Sequence, residues 1–272
     1  MRITRPLLGQ LTQGTIFSCA YANAYEDREV LGFVITARCD IDQDKFPILN
    51  YLPVVSMDDW LEKDGFDILL SRTKSELVGQ ISSVMTAANL PRSLLNSQSI
   101  ESIRGAFFTE PYESKIFRSN APRFGELVDK ELELGVITSE RKVKRLYEFS
   151  EKLASAMLRE LVLHKLGGHY FLPQSVDGGP DTGYVILLRE VQNLPRDLAV
   201  AIARGLDEDE AAKFKKTTAI SFAKEKFAMP VGQLTSPAVE HVLQSFATLF
   251  GRIGLEDHQK EYIDRICARR PE

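Results

Sequence analysis

Thr15-Ile-Phe-Ser-Cys19, Leu31-Gly-Phe-Val-Ile-Thr36 and Ile48-Leu-Asn-Tyr-Leu-Pro-Val-Val55 decide the fold of this chain. Each run is rich in β-branched or aromatic residues and is bounded by Gly, Pro, Asn or Asp, which is the signature of short strands. Their order predicts the opening of a small β-barrel. The middle strand runs into an unusual polar segment, Thr36-Ala-Arg-Cys-Asp-Ile-Asp42, expected to be an exposed loop.

Beyond Ser56 the texture becomes helical. Asp58 and Asp59 are placed to cap a helix starting around Trp60. From 66 to 90, apolar residues recur at Phe66, Leu69, Leu70, Leu77, Ile81, Val84 and Met85, mostly three or four apart, until Pro91 breaks the pattern. Further helices are expected over 94–108 and 120–134. A long one is expected to open at Thr138-Ser139-Glu140, follow Val143, Leu146, Phe149, Leu153, Met157 and Leu161, and stop at Gly167-Gly168. Strands return with His169-Tyr-Phe-Leu-Pro173 and Tyr184-Val-Ile-Leu-Leu188, separated by the turn chemistry of 177–183. A short helix over 198–204 follows, then a hairpin of 218–222 with 226–229. Thr235-Ser236-Pro237 opens a helix lined by Val239, Val242, Leu243, Phe246, Leu249, Phe250 and Ile253, and 255–270 reads as a last helix.

At 272 residues the chain is long enough for a substantial core. A net charge of -4 argues against a generally basic nucleic-acid coat but leaves room for a local patch. Cys19, Cys39 and Cys267 are too few and too scattered for a disulfide framework, so a reducing compartment is the default. No window approaches the roughly 18 apolar residues of a membrane span. The first eight residues carry two Arg but lead into polar 9–14, unlike a signal peptide. A soluble, cytoplasmic protein without membrane contact is expected.

The strand segments resemble the small SH3-like barrel of the MazF, PemK and CcdB toxin group. Gly14-Thr-Ile-Phe17, Gly32-Phe-Val-Ile-Thr36 and Leu52-Pro-Val-Val-Ser56 stand in the order of that group's first three strands. Tyr184-Val-Ile-Leu-Leu-Arg-Glu-Val-Gln192 with Leu194-Pro-Arg-Asp197 is similar to its later strand, loop and helix. The chain as a whole resembles a poorly characterised bacterial group with this barrel, through Ile35 to Asp40, Tyr170 to Pro173 and Ser236 to Gly254. The toxin resemblance covers about a third of the chain, and a shared fold does not carry function with it. It implies a basic residue entering the second strand and a hydroxyl in the third. The matched positions hold Leu31 and Val55, with Arg28 and Ser56 near but out of register. RNA cleavage needs a general acid or base and a cation for the phosphorane, and Arg28, Arg38 and Ser56 would supply part of this.

Other chemistry is read from the residues themselves. Arg38 beside Cys39 would favour a thiolate nucleophile, with Asp40 adjacent and His169 or His241 as base. The plain alternative makes Cys39 a small buried residue closing the strand and Asp40 a turn cap. A metal reading would recruit Cys39, Asp40, Asp42, His164 or His169, but neither Cys-x-x-Cys nor His-x-x-x-His occurs, so no metal and no cofactor are expected. Glu240 and His241, adjacent on a helix, point too far apart to act on one atom, so His241 reads as a histidine held by a carboxylate. Basic residues concentrate at Arg141, Lys142, Lys144 and Arg145, at Lys213, Lys215 and Lys216, and at Arg265, Arg269 and Arg270. Converging, they would bind a phosphate backbone while Tyr51 or Trp60 stacks on bases; the plain alternative is solvated faces.

These observations and the resemblance together imply an α+β protein. An SH3-like barrel is formed by 1–56 and 168–234, a helical insertion fills 57–167, and a helical pair closes the chain over 235–272. The expected role is a binding or regulatory subunit of a bacterial toxin–antitoxin-like or phage-defence system, with a protein partner such as an ATPase or effector, or with nucleic acid. The alternatives are a MazF-like endoribonuclease and a cysteine-dependent enzyme using Cys39.

Overall fold

The computed structural model describes residues 3–7, 9–43, 45–173, 182–214 and 219–251. Its strands are β1 (Ile3–Thr4), β2 (Thr15–Phe17), β3 (Val30–Val34), β4 (Ile48–Ser56), β5 (His169–Leu172), β6 (Tyr184–Leu187), β7 (Gln192–Pro195), β8 (Leu206–Asp207), β9 (Phe227–Ala228) and β10 (Pro230–Leu234). Eight of them form one antiparallel sheet in the order β1-β10-β2-β3-β4-β6-β5, with β7 also on β4. The sheet is strongly curled, a half-barrel. Among the described residues β1 and β5 are its ends, so it does not close.

The nine-residue β4 organises this sheet. One edge pairs with β3 along Tyr51–Val55, while the other serves β7 through Ile48–Tyr51 and then β6 through Val54–Ser56. Pro53 falls in the gap between those two partners, where a residue without an N–H costs no ladder bond.

Both faces of the sheet are buried, which is why its strands read as unbroken apolar runs rather than alternating ones. Phe17, Val30, Val34, Tyr51, Val55 and Val185 face a core shared with the helices. Ile16, Leu31, Phe33, Leu52, Val54 and Ile186 face a second core. Gly32 lies opposite Phe17, whose ring covers it and meets Tyr51 edge-on at 5.1 Å.

The helices are α1 (Arg38–Asp42), α2 (Met57–Trp60), α3 (Phe66–Ala87), α4 (Ile100–Phe107), α5 (Lys115–Ser139), α6 (Val143–Phe149), α7 (Glu151–Val162), α8 (Arg196–Arg204), α9 (Glu208–Ala211) and α10 (Ala238–Phe250). Those from α2 to α7 lie in sequence between β4 and β5, where a helical insertion was expected. They share one continuous core with the sheet, into which α8 also packs, whereas α10 packs on the opposite core.

Several helix boundaries differ from the sequence expectation. The helix after β4 is capped by Ser56, not by Asp58 or Asp59, which occupy its first turn. A π-turn, Leu61–Gly65, joins it to α3. Only α4 forms in the 94–108 region, capped by Ser99, while Arg92–Asn96 is a 3-10 turn. The 120–134 helix starts earlier, at Lys115, and passes through Pro122. The long helix from Thr138 does not exist. Thr138 and Ser139 hydroxyls donate back to the Leu134 and Val136 carbonyls, so they end α5 rather than opening a helix. Ser150 then separates α6 from α7, and its hydroxyl shares a buried hydrogen bond of 2.7 Å with Thr73. The apolar period continues across that break, so it hides the serine.

Among the described residues the expected hairpin of 218–222 with 226–229 does not form either. Phe227–Ala228 pairs with β8, and Ile220 bridges Ala20. Pro237 precedes α10 as its cap instead of occupying the first helical position. The 255–270 helix, most of the 177–183 turn, and Lys215, Lys216, Arg265, Cys267, Arg269 and Arg270 lie outside the described residues. No helix among the described residues is long and apolar enough to cross a membrane.

Candidate functional site

The 36–42 segment is not an extended loop. Thr36 Oγ1 accepts from the Asn50 N–H at 2.7 Å, holding the end of β3 against β4, and the chain then turns into the short helix α1. Cys39 is exposed there, not buried at a strand end as its plain reading expected. Its thiol lies 3.8 Å from Asp40 Oδ1, and no histidine contact accompanies it. Asp40 does not cap the turn through its side chain. Arg38, Asp40 and Asp42 likewise make no ion pair. A base for a cysteine nucleophile is therefore missing: His169 faces Asp64 and His241 faces Tyr170. In native alkylation followed by peptide mass mapping, Cys39 is expected to be modified fully. Cys19 should stay protected until denaturant is added, because burial together with Glu225 pushes its thiol up to about 12.

Arg28 and Ser56 do meet, at the opposite end of β3 and β4. Ser56 Oγ donates to Asp59 Oδ2 at 2.6 Å and accepts from the Asp59 N–H at 3.0 Å. The Arg28 guanidinium donates to the other oxygen of Asp59 at 2.8 Å, to Glu62 at 2.8 Å and to Asp27 at 3.3 Å. Lys63 donates to Asp27 and to the Ala24 carbonyl, both at 2.7 Å. Arg28, one of the two cations that RNA cleavage would use, is thus surrounded by three carboxylates of its own chain, whereas Arg38 makes no ion pair.

The π-turn adds a second polar group beside this one, and π-turns recur at functional sites. Asp64 accepts from the Tyr25 hydroxyl at 2.8 Å and lies 3.8 Å from His169 Nε2. Burial disfavours the Asp64 charge, yet the nearby His169 imidazole and the Tyr25 hydrogen bond outweigh it and hold the carboxyl below its ordinary value. Trp60 is fully buried edge-on to His169 at 5.5 Å, and both Trp60 Nε1 and His169 Nδ1 are buried without a hydrogen-bond partner. Gly65 is required here, because a Cβ would come within 2.7 Å of the Tyr147 hydroxyl and 3.0 Å of the Trp60 ring. With Tyr25 and Trp60 closed to solvent, this group ties the helices to the sheet.

The basic corner between α5 and α6 is largely neutralised. Arg141 pairs with Asp67 at 3.2 Å and lies over the Phe66 ring. Lys142 pairs with Glu140 and Arg145 with Glu133, both at 2.5 Å, while Lys144 makes no ion pair. The aromatic platforms expected beside it do not exist. Tyr51 and Trp60 are both buried, and the Tyr51 hydroxyl donates to the Ala219 carbonyl at 2.8 Å.

Sequence reasoning missed a ring cluster linking α7, β5 and α10. His164, at φ 55°, stacks on Tyr170 at 4.1 Å, and the Tyr170 hydroxyl lies 2.7 Å from His241 Nδ1. His241 is therefore held by a tyrosine rather than by Glu240. The residues that a metal reading would recruit are dispersed: Cys39, Asp40 and Asp42 on α1, His164 at Tyr170, His169 at Asp64. Among the described residues no group of three His, Cys, Asp or Glu side chains is placed to hold a metal. Comparison with known protein families, with curated proteins and with solved structures finds no match for this chain.

Proposed function

We propose that this protein is a binding or regulatory subunit working through protein contacts, in a bacterial toxin–antitoxin-like or phage-defence setting. The setting follows from the sequence resemblance to the SH3-like toxin barrel, with which a curled antiparallel sheet is compatible. One observation carries the preference for protein over nucleic acid. Of the described cations that the sequence offers to phosphate, Arg28, Arg141, Lys142 and Arg145 are paired with carboxylates of the same chain, and Arg38, Lys144 and Lys213 are not. Phosphate binding rests on unpaired cations replacing condensed counterions, and a paired cation must first be freed. An ATPase or effector is the kind of partner such a subunit would regulate.

The second reading is a MazF-like endoribonuclease, favoured by the convergence of Arg28 and Ser56 on Asp59. A direct test incubates RNA with the wild-type chain, Arg28→Ala and Ser56→Ala at low salt, and cross-links the wild type in its host. The expected result is no cleavage, no salt-dependent RNA retention, and cross-links to a defined protein. RNA cleavage lost in both variants would establish the nuclease instead.

A further inference from the structure

The chain has four histidines, and two of them meet in the ring cluster that links α7, β5 and α10. The His164 and His241 rings stand edge to face with centroids 5.2 Å apart. Both also engage Tyr170, one by stacking at 4.1 Å and the other by a hydrogen bond of 2.7 Å. The left-handed position that follows a helix favours Gly or Asn, so a histidine at 164 brings the backbone no advantage. Its contribution is the ring. Through His241 the cluster reaches α10, which covers the second core with Val239 and Val242.

This arrangement suits neutral imidazoles. Tyr170 is fully buried, and among the described residues the one hydrogen-bond partner of its hydroxyl is His241 Nδ1. With His241 neutral, the hydroxyl donates to a bare Nδ1. Once His241 is protonated both ring nitrogens are donors, and the hydroxyl hydrogen loses its acceptor. His164 Nδ1 is buried without a partner, so a charged His164 would carry an N–H with no acceptor. Countercharge is missing on every side. No Asp, Glu, Lys or Arg is buried among the described residues, and the titratable groups in the second core are Tyr170 and Tyr184. On α7, Glu160 is taken by Arg72 at 2.6 Å, and Arg159 and Lys165 are exposed cations. Arg189, exposed beside Gly168, adds another cation. On α10, Glu240 is exposed and points about 100° away from His241. His241 itself lies in the first turn of α10, where the helix dipole disfavours a cation. The C-terminal end of α7 favours one at His164, but burial and the neighbouring His241 outweigh it and hold that imidazole below its ordinary value.

We propose that His164, Tyr170 and His241 form a proton-sensitive latch, which holds α10 on the sheet while both imidazoles are neutral and loosens it when they take up protons. The sign follows from linkage. A histidine kept neutral while α10 is docked, and free to titrate once it is released, stabilises docking above the ordinary histidine value of about 6.5 and loses that contribution as pH falls below it. One unit lower, each such histidine shifts the balance towards release by about tenfold. Loosening α10 uncovers the part of the second core that Val239 and Val242 close. The latch does not depend on what the protein binds.

Hydrogen exchange of the full chain, read by mass spectrometry and corrected for the intrinsic effect of pH, compares α10 with α3 at about pH 7.5 and about pH 5.5. In the wild type, protection of α10 is expected to fall about tenfold or more, and that of α3 by less than about twofold. His164→Asn combined with His241→Asn removes both titrating groups. Asn suits the left-handed backbone at 164, and at 241 it keeps an acceptor oxygen near the place of Nδ1. In this double variant the α10 response should shrink to less than about twofold. Equal losses in α10 and α3, or the same response in the wild type and the double variant, overturn the latch. If the double variant has already lost α10 protection at the higher pH, the wild type decides. Its His164 and His241 ring signals in NMR must titrate over the range in which α10 loses protection, and titration with α10 still protected overturns the latch.

Discussion

Gly32→Ala is expected to lower the unfolding free energy by about 3 kcal/mol, and Gly32→Val by more. A Cβ built on Gly32 lies 2.3 Å from both Cε1 and Cζ of Phe17 and 3.0 Å from Cδ2 of Tyr51. Neither ring has room to yield. Phe17 and Tyr51 are both fully buried, they brace each other edge to face, and Tyr51 is held by its hydroxyl. The clash also sits where β2, β3 and β4 pair, so relief by backbone movement would strain two ladders. Urea unfolding followed by circular dichroism measures the loss. The pairing of causes is checked by Phe17→Leu combined with Gly32→Ala, which should cost clearly less than the sum of the two single changes. A Gly32→Ala protein within about 0.5 kcal/mol of wild type would show that the ring does not sit over this position.

The strands around Gly32 were legible because burial on both faces leaves a continuous apolar run, and such runs survive in sequence without knowledge of their partners. β10 was not legible. Pro230-Val-Gly-Gln-Leu234 has weak strand composition and becomes a strand by filling the place between β1 and β2. A similar limit applies to helices: periodicity located the apolar faces of α3, α6 and α7 but not the break at Ser150, whose hydroxyl finds its partner on Thr73, 77 residues away.

The polar groups follow the same division. Ser56-Met-Asp-Asp59 is a hydroxyl followed three residues later by an acid, the pattern of a reciprocal helix cap, and that signal was present in the sequence. Antiparallel pairing of Val30 with Val55 places Arg28 and Ser56 at one end of the sheet. Matching strand positions to the toxin barrel obscured that neighbourhood, because it sought both groups inside the strands. The contact of Asp64 with His169 joins residues remote in sequence through a π-turn, for which no local pattern exists.

Trp60→Ala is expected to destabilise the fold by about 3–5 kcal/mol, the usual cost of truncating a buried tryptophan, and to leave the behaviour towards RNA unchanged. A base-stacking tryptophan would give the opposite result: weaker RNA binding with little loss of stability. The structure decides between them through burial. Trp60 has no exposed surface, its ring packs edge-on against His169, and Gly65 is small enough to let it approach. Truncation would leave a cavity between the π-turn and β5 and remove a wall from the Asp64–His169 pair. Trp60→Phe should cost much less, about 1.5 kcal/mol or under, because it keeps an aromatic ring and deletes an indole N–H that has no hydrogen-bond partner. Trp60 is the sole tryptophan of the chain, so wild-type unfolding should also shift its fluorescence to the red as the ring meets water. Equal losses from the alanine and phenylalanine variants would mean that the indole nitrogen is bonded after all.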